Sequence, residues 1–579
     1  MSAIPAPLSR PSSRAWLAGT ALFLLPLLAY LPALRAGFIW DDDLWVTGNP
    51  SLRTLAGLGQ IWLLPLQQAN GQYYPLSVSS FWLDYHLWGL HPLPYHALNV
   101  LLHAASTLLL WRLLRSLQVP GAWLAAAIFA IHPVQAESVA WISERKNVLA
   151  GVFYLAALLA SLRFSSGAAR RRWYALAFGL FLLAMFSKTV AGSFPAVVLL
   201  IVYWKRGRLT RRDVLPLLPF FAVSIAMGLL TGWLEVHVVL AAGPEWEFSF
   251  PQRILIAGQA LWFYAAKLLW PVQLNFMYPK WPVDPHRPLL WLYPIAAAAV
   301  IPILWLLRRP IGRGPFVCVS LFAGCLFPAL GFANLYPMRY TFAQDHFQYF
   351  ASIGLIVLFV AAAARLTANR PGALRLLGAG MMMLLVPLTF IRAGVFRSSD
   401  TLYQDTLAKN PNAWMAHNNL GLYDLFTLGD TARALREFQT AAAIDAVPAE
   451  PRINLARVHM LLGDAESGPN IPTLANPAFY ADGWIAIGRA RWNQQDLSGA
   501  REAFKNAAVR SPESVLAHLN LAAVLDTQGD RDQAIAEWRS VRELAAASPA
   551  GKAALSQALA GDPRLSSAAD KLAGAPPAP

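Results

Sequence analysis

"AWLAGTALFLLPLLAYLPALRAGFIWDDD", residues 15–43, is an apolar run that ends in three consecutive aspartates. The run 15–34 has the length of about 20 residues that crosses the hydrocarbon core of a bilayer. Similar runs recur over the first two-thirds of the chain. The first run does not read as a cleaved signal peptide, because no small-residue cleavage site follows it and many further runs come after it. The sequence therefore predicts an all-α, polytopic membrane protein.

The composition supports this prediction, since 56% of the 579 residues are hydrophobic and 14% are charged. Soluble domains carry about 25% charged residues. The net charge of +15 does not indicate nucleic-acid binding, because lysine and arginine cluster in short loops between the apolar runs. The clusters lie at 163–172, 205–212, 308–313 and 365–375, which is the positive-inside pattern. We therefore expect contact with membrane lipid and no nucleic-acid partner.

The apolar runs form one transmembrane domain, expected over residues 15–393. The basic loops place the N-terminal tail, residues 1–14, in the cytoplasm and a first external loop at 35–94. Three apolar segments lie between two cytoplasmic loops, and the most polar of them, 253–270, is interpreted as interfacial or re-entrant. About eleven crossings and an external C-terminus follow. The candidate segments are 15–34, 95–115, 121–136, 147–163, 173–187, 189–204, 213–233, 253–270, 289–307, 315–332, 351–366 and 373–392.

From about residue 394 the apolar positions become interrupted and a repeat appears. Each tetratricopeptide repeat is a helix hairpin that packs on its neighbour, so an α-solenoid is expected over 394–561. Such grooves bind extended or helical peptide, which predicts a protein or peptide acceptor. Residues 562–579 are rich in Ala and Pro and are expected to be disordered. Four related fragments recur near the tetratricopeptide period of about 34 residues: "NNLG" at 418–421, "NLA" at 454–456, "AIG" at 486–488 and "NLA" at 520–522.

The three aspartates, Asp41 to Asp43, follow the first apolar run directly. Adjacent carboxylates raise each other's pKa, and carboxylates at a membrane are functional by default. The alternative is a solvated loop whose neighbouring helices lie on the membrane surface. The sequence favours a functional role for at least one aspartate, because all three stand at the mouth of the predicted bundle.

Further polar clusters fall in the other predicted external turns. Cations there could hold a phosphate, and histidine with glutamates could complete a hydrogen-bond or metal network. Surface ion pairs, a snorkelling lysine and an aromatic interfacial belt are the alternatives. Because the dense clusters share one face, the pattern favours chemistry at that face over transport. The candidate substrate-binding residues are Asp43, His132, Glu137, Glu144, Arg145, Lys146, Lys188, Arg339, Asp345, His346 and Tyr349.

Five motifs carry a resemblance to a known family: "FIWDDDLWVTGNP", "YYPLSVSSFWLDYHLWGLHPLPYHALNVLLH", "HPVQAESVAWISERKNVLAG", "SKTVAGSFPAVVLL" and "DHFQYFASIGL". With the repeats, the chain resembles the membrane-embedded glycosyltransferases of the C-type (GT-C) superfamily. Within that superfamily it is similar to the transmembrane and tetratricopeptide-repeat O-mannosyltransferases and their bacterial relatives. The resemblance implies a GT-C-like bundle and inverting transfer of a sugar from a polyprenyl-phosphate donor to an acceptor hydroxyl, on protein Ser or Thr. It also implies a bacterial inner-membrane protein whose site and repeats face the periplasm.

The resemblance also implies roles for individual residues. The acidic motif of the first loop falls on Asp41 and Asp42, which would bind the acceptor and act as general base. A divalent metal, Mg or Mn, sometimes takes part, and Asp42 with Asp43 would then be its ligands. The phosphate-side residues fall on Glu144–Lys146. The chain departs from its relatives at His346 and Phe347, which stand where an Arg-Tyr pair is usual, and this departure weakens the phosphate contact that the resemblance implies there.

Other functions stay open at this point. A membrane-anchored tetratricopeptide scaffold without catalysis would keep its partners whatever the acidic loop carries. A transporter of lipid-linked sugars would move lipid without modifying an acceptor, and the one-sided polarity argues against it. A glycosyltransferase of this kind could also act on a glycolipid or a polysaccharide.

Overall fold

The computed structural model describes residues 13–65, 71–166, 170–448, 450–461, 484–485, 488–489, 491–492, 495–547, 549–561 and 565. Every regular element in these residues is a helix, which confirms the predicted all-α architecture. The chain divides into two compact units, Met1–Ala413 and Trp414–Pro579.

The first unit is a bundle of helices joined by short turns, many of them 3₁₀-helical. Each of the apolar segments predicted from the sequence contains at least part of one helix. In chain order the α-helices are α1 (Ser13–Ala29), α2 (Leu55–Leu63), α3 (Pro75–Trp88), α4 (Pro92–Ser116), α5 (Ala122–Ile131), α6 (Ala136–Ala140), α7 (Arg145–Ser166), α8 (Arg170–Ser187), α9 (Phe194–Arg206), α10 (Arg211–Val214), α11 (Leu218–His237), α12 (Phe250–Leu269), α13 (Leu292–Leu306), α14 (Gly314–Leu326), α15 (Ser352–Leu366), α16 (Pro371–Val395) and α17 (Ser399–Lys409).

Within the described residues, five helices are long and apolar enough to cross a membrane. In Pro288–Leu306, none of the 18-residue apolar stretch is buried inside the protein. A helix that is apolar all round needs either a protein core or lipid around it. The chain is therefore a multi-pass membrane protein, while the count of about eleven crossings stays a prediction. The five helices are Pro92–Ser116, Ile142–Phe164, Arg211–His237, Pro288–Leu306 and Gly372–Val395, and the shorter apolar ones are Ser13–Ala29, Ala122–Ile131, Gly314–Ala329 and Ser352–Leu366.

The segment interpreted as interfacial forms α12. Its N-terminus carries a capping box, in which the side chains of Ser249 and Gln252 each accept from the other residue's backbone N–H. The helix is amphipathic, with Tyr264 fully buried and Leu269 exposed. It is not one of the five long apolar helices, and its interfacial placement stays a prediction.

The apolar segment 121–136 is broken near its end, and this break builds the polar interior. α5 ends at Ile131 because Pro133 lacks an N–H and cannot continue the helix. The chain then passes through three short helical pieces before α7 begins at Arg145. Every residue of 132–146 is buried, so the alternative of surface ion pairs is wrong for this turn.

The conformation of the acidic loop, Asp41–Asp43, depends on Trp40. Trp40 has φ 50°, and the left-handed region costs a non-glycine residue about 1–3 kcal/mol. Its ring packs edge-on against Phe276 and Tyr340, with centroids 5.2 and 6.0 Å away. Aromatic packing therefore offsets the backbone strain at the residue that precedes the three aspartates.

The second unit consists of helices that pack on their neighbours in sequence. A small residue on one helix faces an aromatic ring on the next. A Cβ at Gly421 would come within 2.7 Å of Phe438, and one at Gly488 within 2.3 Å of Phe504. Helices that pack on their neighbours in sequence, as these do, fit the solenoid of helix hairpins predicted for this region. The helices are α18 (Trp414–Tyr423), α19 (Thr431–Ile444), α20 (Glu450–Leu461), α21 (Leu497–Arg510), α22 (Val515–Gln528), α23 (Arg531–Ala547) and α24 (Pro549–Gly561).

Three sequence predictions concern segments outside the described residues. They are the N-terminal tail up to residue 12, the part of the predicted solenoid at 462–483, and the tail 562–579 apart from Leu565.

Candidate functional site

Asp42 is fully buried, and both of its carboxylate oxygens accept hydrogen bonds. Oδ2 accepts from the backbone N–H of Ile39 at 2.9 Å. Oδ1 accepts from the backbone N–H of Ser143 at 2.8 Å and from the Ser143 hydroxyl. Burial raises the pKa of Asp42 to about 7, and these hydrogen bonds act in the opposite direction. Asp42 therefore ties the acidic loop to the turn before α7, which leaves it little capacity to accept a proton from a substrate.

We expect the Asp42→Asn variant to loosen this tie. The amide nitrogen of Asn is a donor. It would therefore face either the Ile39 N–H or the Ser143 N–H and hydroxyl, which are donors as well. Unpaired buried polar groups cost about 1–3 kcal/mol, and the free energy of unfolding should fall by that amount. Thermal and denaturant unfolding of the purified protein in detergent measures it. Full stability combined with abolished activity would contradict this assignment and return Asp42 to catalysis.

Asp41 is placed differently. Its Oδ2 accepts a hydrogen bond from the indole Nε1 of Trp45 at 3.2 Å, whereas its Oδ1 is buried without a partner. Burial raises the pKa of Asp41 to about 6, while the nearby Lys146 lowers it and Glu144 raises it. Asp41 is therefore a carboxylate with an open acceptor oxygen beside a cation, as a general base requires.

Glu144 joins two lysines beside Asp41. Its Oε1 lies 3.1 Å from Lys146 Nζ, and its Oε2 lies 2.8 Å from Lys188 Nζ. Asn147 donates a further hydrogen bond to Oε2 at 2.7 Å. All three charged side chains are buried or nearly so, and both lysines pair with the same carboxylate. The arrangement holds cations at a place where solvent screens charge only weakly.

Glu137 binds the turn that contains Asp345 and His346. Its Oε1 lies 2.6 Å from His346 Nδ1, and its Oε2 accepts from the backbone N–H of Asp345 at 3.1 Å. The other ring nitrogen of His346 is 3.9 Å from Glu144 Oε1. Burial lowers the pKa of His346 to about 3, so the ring is neutral near neutral pH. His346 therefore links two glutamates and supplies no cation for a phosphate.

Residues from four separate turns thus meet in one network. We call this network the ionic cluster, and its members are Asp41, Glu137, Glu144, Lys146, Lys188 and His346.

Arg145 belongs to a different network, although it was predicted to bind phosphate. Its Nε donates to Asn99 Oδ1 and its Nη2 to the Tyr95 carbonyl, each at 2.9 Å, and its Nη1 pairs with Asp84. The guanidinium also covers the Phe81 ring, 4.6 Å from its centroid. Every guanidinium nitrogen is engaged and the side chain is fully buried. These contacts favour a structural role over the predicted phosphate contact.

Three more predicted substrate-binding residues are also engaged with the protein itself. His132 Nε2 hydrogen-bonds a backbone carbonyl of α12 at 3.0 Å. The Tyr349 hydroxyl lies 2.9 Å from His103 Nδ1. Arg339 directs Nε and Nη2 to the two carboxylate oxygens of Glu245, at 3.1 and 2.9 Å. These bonds connect helices, and they favour structural roles for all three residues.

The carboxylate geometry does not fit the metal expected between Asp42 and Asp43. Asp43 is exposed and accepts from the backbone N–H of Leu44 at 2.8 Å, whereas both oxygens of Asp42 are engaged in the interior. In the described part of the chain, no group of three or more His, Cys, Asp or Glu side chains is arranged to hold a metal ion.

Sequence reasoning assigned no role to Asp84, Glu245 or Arg392. The first two are the ion-pair partners of Arg145 and Arg339, 61 and 94 positions away, and no local pattern announces such pairs. Arg392 did leave a signal, because a charged residue inside an apolar span is a functional hypothesis by default.

An apolar cavity of about 480 Å³ lies between α4, α7, α9, α14 and α15. Leucine, valine and isoleucine dominate its lining. Tyr154, which also lines it, places its hydroxyl 3.1 Å from Ser193 Oγ, at the end of the turn that begins after Lys188. Phe350, another lining residue, follows the turn that carries His346. The cavity therefore lies next to two turns that carry residues of the ionic cluster, Lys188 and His346. A ligand with a polar head and an apolar tail would suit the charged cluster with its head and the cavity with its tail.

No protein-family model matches the chain. Similar proteins include protein O-mannosyl-transferase Tmtc1 of Drosophila melanogaster, 38% identical over 144 residues, which are 23% of this chain and 17% of the relative. TMTC2 of Mus musculus is 37% identical over 160 residues, 26% of this chain and 19% of the relative. Tmtc2 of Drosophila melanogaster is 30% identical over 262 residues, 42% of this chain and 27% of the relative. These relatives confirm the resemblance to the tetratricopeptide-repeat O-mannosyltransferases.

The matched segments span between 17% and 27% of the length of these three relatives. Among solved structures, MamA matches with a TM-score of 0.22 and 18% identity, covering 25% of this chain and 84% of that chain. The APC/C hetero-tetramer Cut9-Hcn1 matches with a TM-score of 0.23 and 13% identity, covering 88% of this chain and 100% of that chain. Likeness at these TM-scores is too low to bear on the fold.

Proposed function

We propose that this protein is a membrane glycosyltransferase that moves a sugar from a polyprenyl-phosphate donor to an acceptor hydroxyl. The observation that carries the proposal is the open oxygen of Asp41 beside Lys146, in a chain similar to protein O-mannosyl-transferases. A base for the acceptor and cations for the leaving phosphate are the two groups that this transfer needs.

In the proposed reaction, Asp41 Oδ1 takes the proton of the acceptor hydroxyl. The acceptor oxygen forms a bond to the anomeric carbon from the face opposite the phosphate. The bond between the anomeric carbon and the phosphate oxygen breaks, and its electron pair leaves on the polyprenyl phosphate. Lys146 and Lys188 stabilise the charge of that phosphate, which the buried surroundings make more effective than in water. The sugar is therefore transferred with inversion.

The apolar cavity supports a lipid-linked donor. Its volume of about 480 Å³ falls in the usual range of small-molecule pockets, and its lining suits a hydrocarbon tail. Because the cavity adjoins the turns that carry Lys188 and His346, a tail lying in it would keep the phosphate near the ionic cluster.

We place this site on the periplasmic face of a bacterial inner membrane, since the basic loops lie at the other ends of the apolar segments. We propose a protein Ser or Thr as the acceptor, because tetratricopeptide-like repeats present peptide-binding grooves. A glycolipid or polysaccharide acceptor is the second candidate, supported by the amphipathic character of the site.

Deleting the gene is expected to remove a hexose from Ser or Thr of particular periplasmic proteins. Mass spectrometry of periplasmic glycoproteins and glycolipids from the deletion strain and the wild type measures this. Complementation with the Asp43→Asn variant should restore the glycan, and complementation with Asp41→Asn should not. A change confined to glycolipids would move the acceptor to that class. Unchanged glycans in both fractions would favour a scaffold without catalysis.

A further inference from the structure

Arg392 lies in the last turn of α16 and is 5% exposed. Its Nη1 donates to Asp405 Oδ2 at 3.0 Å. Its Nε and Nη2 are buried and have no hydrogen-bond partner. These two nitrogens form one edge of the guanidinium, which carries two parallel N–H groups and matches the oxygens of a phosphate or carboxylate.

Two other buried arginines of this unit use the same edge inside the protein. Arg339 directs it to both oxygens of Glu245, and Arg145 divides it between Asn99 and a backbone carbonyl. Arg392 differs from both because the corresponding edge is open.

Asp345 carries a buried acceptor oxygen that, like the two nitrogens of Arg392, has no hydrogen-bond partner. Asp345 Oδ1 accepts a hydrogen bond from the Tyr278 hydroxyl at 3.0 Å, whereas its Oδ2 is buried without a partner. Among the cations that lower the pKa of Asp345, Arg392 has the largest effect, ahead of Lys267 and Lys409. Arg392 and Asp345 therefore interact electrostatically, and each keeps a buried polar atom that no hydrogen bond satisfies. A buried polar group without a hydrogen-bond partner destabilises the folded protein unless a ligand pairs it.

The two lysines that also lower the pKa of Asp345 are already hydrogen-bonded within the protein. Lys267 Nζ donates to two backbone carbonyls, at 2.9 and 3.3 Å. Lys409 Nζ is 2.6 Å from Asp405 Oδ1 and also donates to the Leu274 carbonyl. The open donors at this place thus belong to Arg392.

We propose that Arg392 and Asp345 bind a glycosyl phosphate. The Nε–Nη2 edge of Arg392 binds two phosphate oxygens, and Asp345 Oδ2 accepts a hydrogen bond from a sugar hydroxyl. The site joins the ionic cluster through Glu137, whose Oε2 accepts from the Asp345 backbone N–H at 3.1 Å. The proposal rests on the proposed function, because it names the residues that hold its donor.

The test measures binding to the purified full-length protein in detergent. The probes are farnesyl phosphate, mannosyl farnesyl phosphate and inorganic phosphate. Arg392→Lys keeps a charge and can keep the bond to Asp405, but it loses the two parallel N–H groups that can bind a phosphate bidentately. We expect it to weaken binding of both prenyl probes about tenfold, the loss of about one charge-assisted hydrogen bond. Arg397→Lys is the matched control, since Arg397 is exposed five positions further along, and its affinities should equal those of the wild type.

Asp345→Asn separates the two halves of the site. It should weaken mannosyl farnesyl phosphate about threefold or more and leave farnesyl phosphate no weaker than in the wild type. An Arg392→Lys variant with unchanged affinities overturns the proposal, as does an equal loss in Arg397→Lys or an Asp345→Asn loss that is the same for both prenyl probes. A loss in Arg392→Lys confined to inorganic phosphate overturns the assignment to a lipid headgroup.

Two further readouts separate this site from its surroundings. A lower melting temperature of Arg392→Lys with unchanged affinity of the folded protein would assign Arg392 to structure alone and overturn the proposal. Wild-type protein that binds the prenyl probes through Arg392 but modifies no acceptor would support this site while the proposed function fails. Sugar transfer by Arg392→Lys with the wild-type KM for the donor would support the function while this site fails.

Discussion

Asp41→Asn is expected to lower sugar transfer by about 10²–10⁴-fold, the usual contribution of a positioned general base. The Asn carbonyl oxygen can still accept the Trp45 indole N–H, so the acidic loop should keep its conformation. The amide cannot take the acceptor proton, so the chemical step loses its base. The measurement is kcat/KM with a prenyl-phosphate sugar and an acceptor identified by mass spectrometry.

The pH dependence of the wild type gives an independent readout of the same carboxylate. Burial raises the pKa of Asp41 to about 6 in the folded protein. A protonated carboxyl cannot act as base, so kcat/KM should fall as the pH is lowered through about 6 and level off above it. The residual rate of Asp41→Asn should lack this inflection.

Asp43→Asn is the matched control for Asp41→Asn. It makes the same chemical change two positions away, on an exposed side chain that accepts from the adjacent Leu44 N–H. Transfer by this variant should stay within a few-fold of the wild type. Equal losses in both variants would mean that the charge of the loop matters and that no single aspartate is the base.

The helical architecture could be predicted from the sequence because it depends on runs of apolar residues. Such runs are local, and each of them contains a helix. The break after Ile131 is also local, since it follows from Pro133, but its consequence was not predicted. The polar turn after the proline is buried by helices from elsewhere in the chain, and only the fold shows that it lies inside the protein.

The candidate site was predictable in its residue types and much less so in their roles. Asp41 and Asp42 are neighbours with the same side chain, and the difference between them lies in Ser143, which is 101 positions from Asp42. Likewise, Lys146 lies next to Arg145 in sequence, yet successive positions on a helix point to different neighbours. A motif places both cations at one end of α7, and only long-range contacts decide which of them reaches the ionic cluster.

Arg145→Met is expected to lower the free energy of unfolding by about 3–5 kcal/mol, because it leaves the charge of Asp84 buried without its partner. Both side chains are at most 1% exposed, so solvent screens neither charge. Methionine retains much of the apolar contact with Phe81, so the loss should come mainly from the missing guanidinium. Denaturant unfolding of the purified protein in detergent, followed by tryptophan fluorescence, measures the change.

The double variant Arg145→Met with Asp84→Asn separates a structural role from a phosphate contact. Neutralising both partners removes the uncompensated charge, so a large part of the lost stability should return, giving a clear coupling energy between the two positions. Prenyl-phosphate affinity of the folded double variant should match the wild type if Arg145 only supports the fold. The structural role would be wrong if Arg145→Met alone unfolded like the wild type but bound prenyl phosphate tenfold more weakly. That result would place Arg145 beside Lys146 at the phosphate.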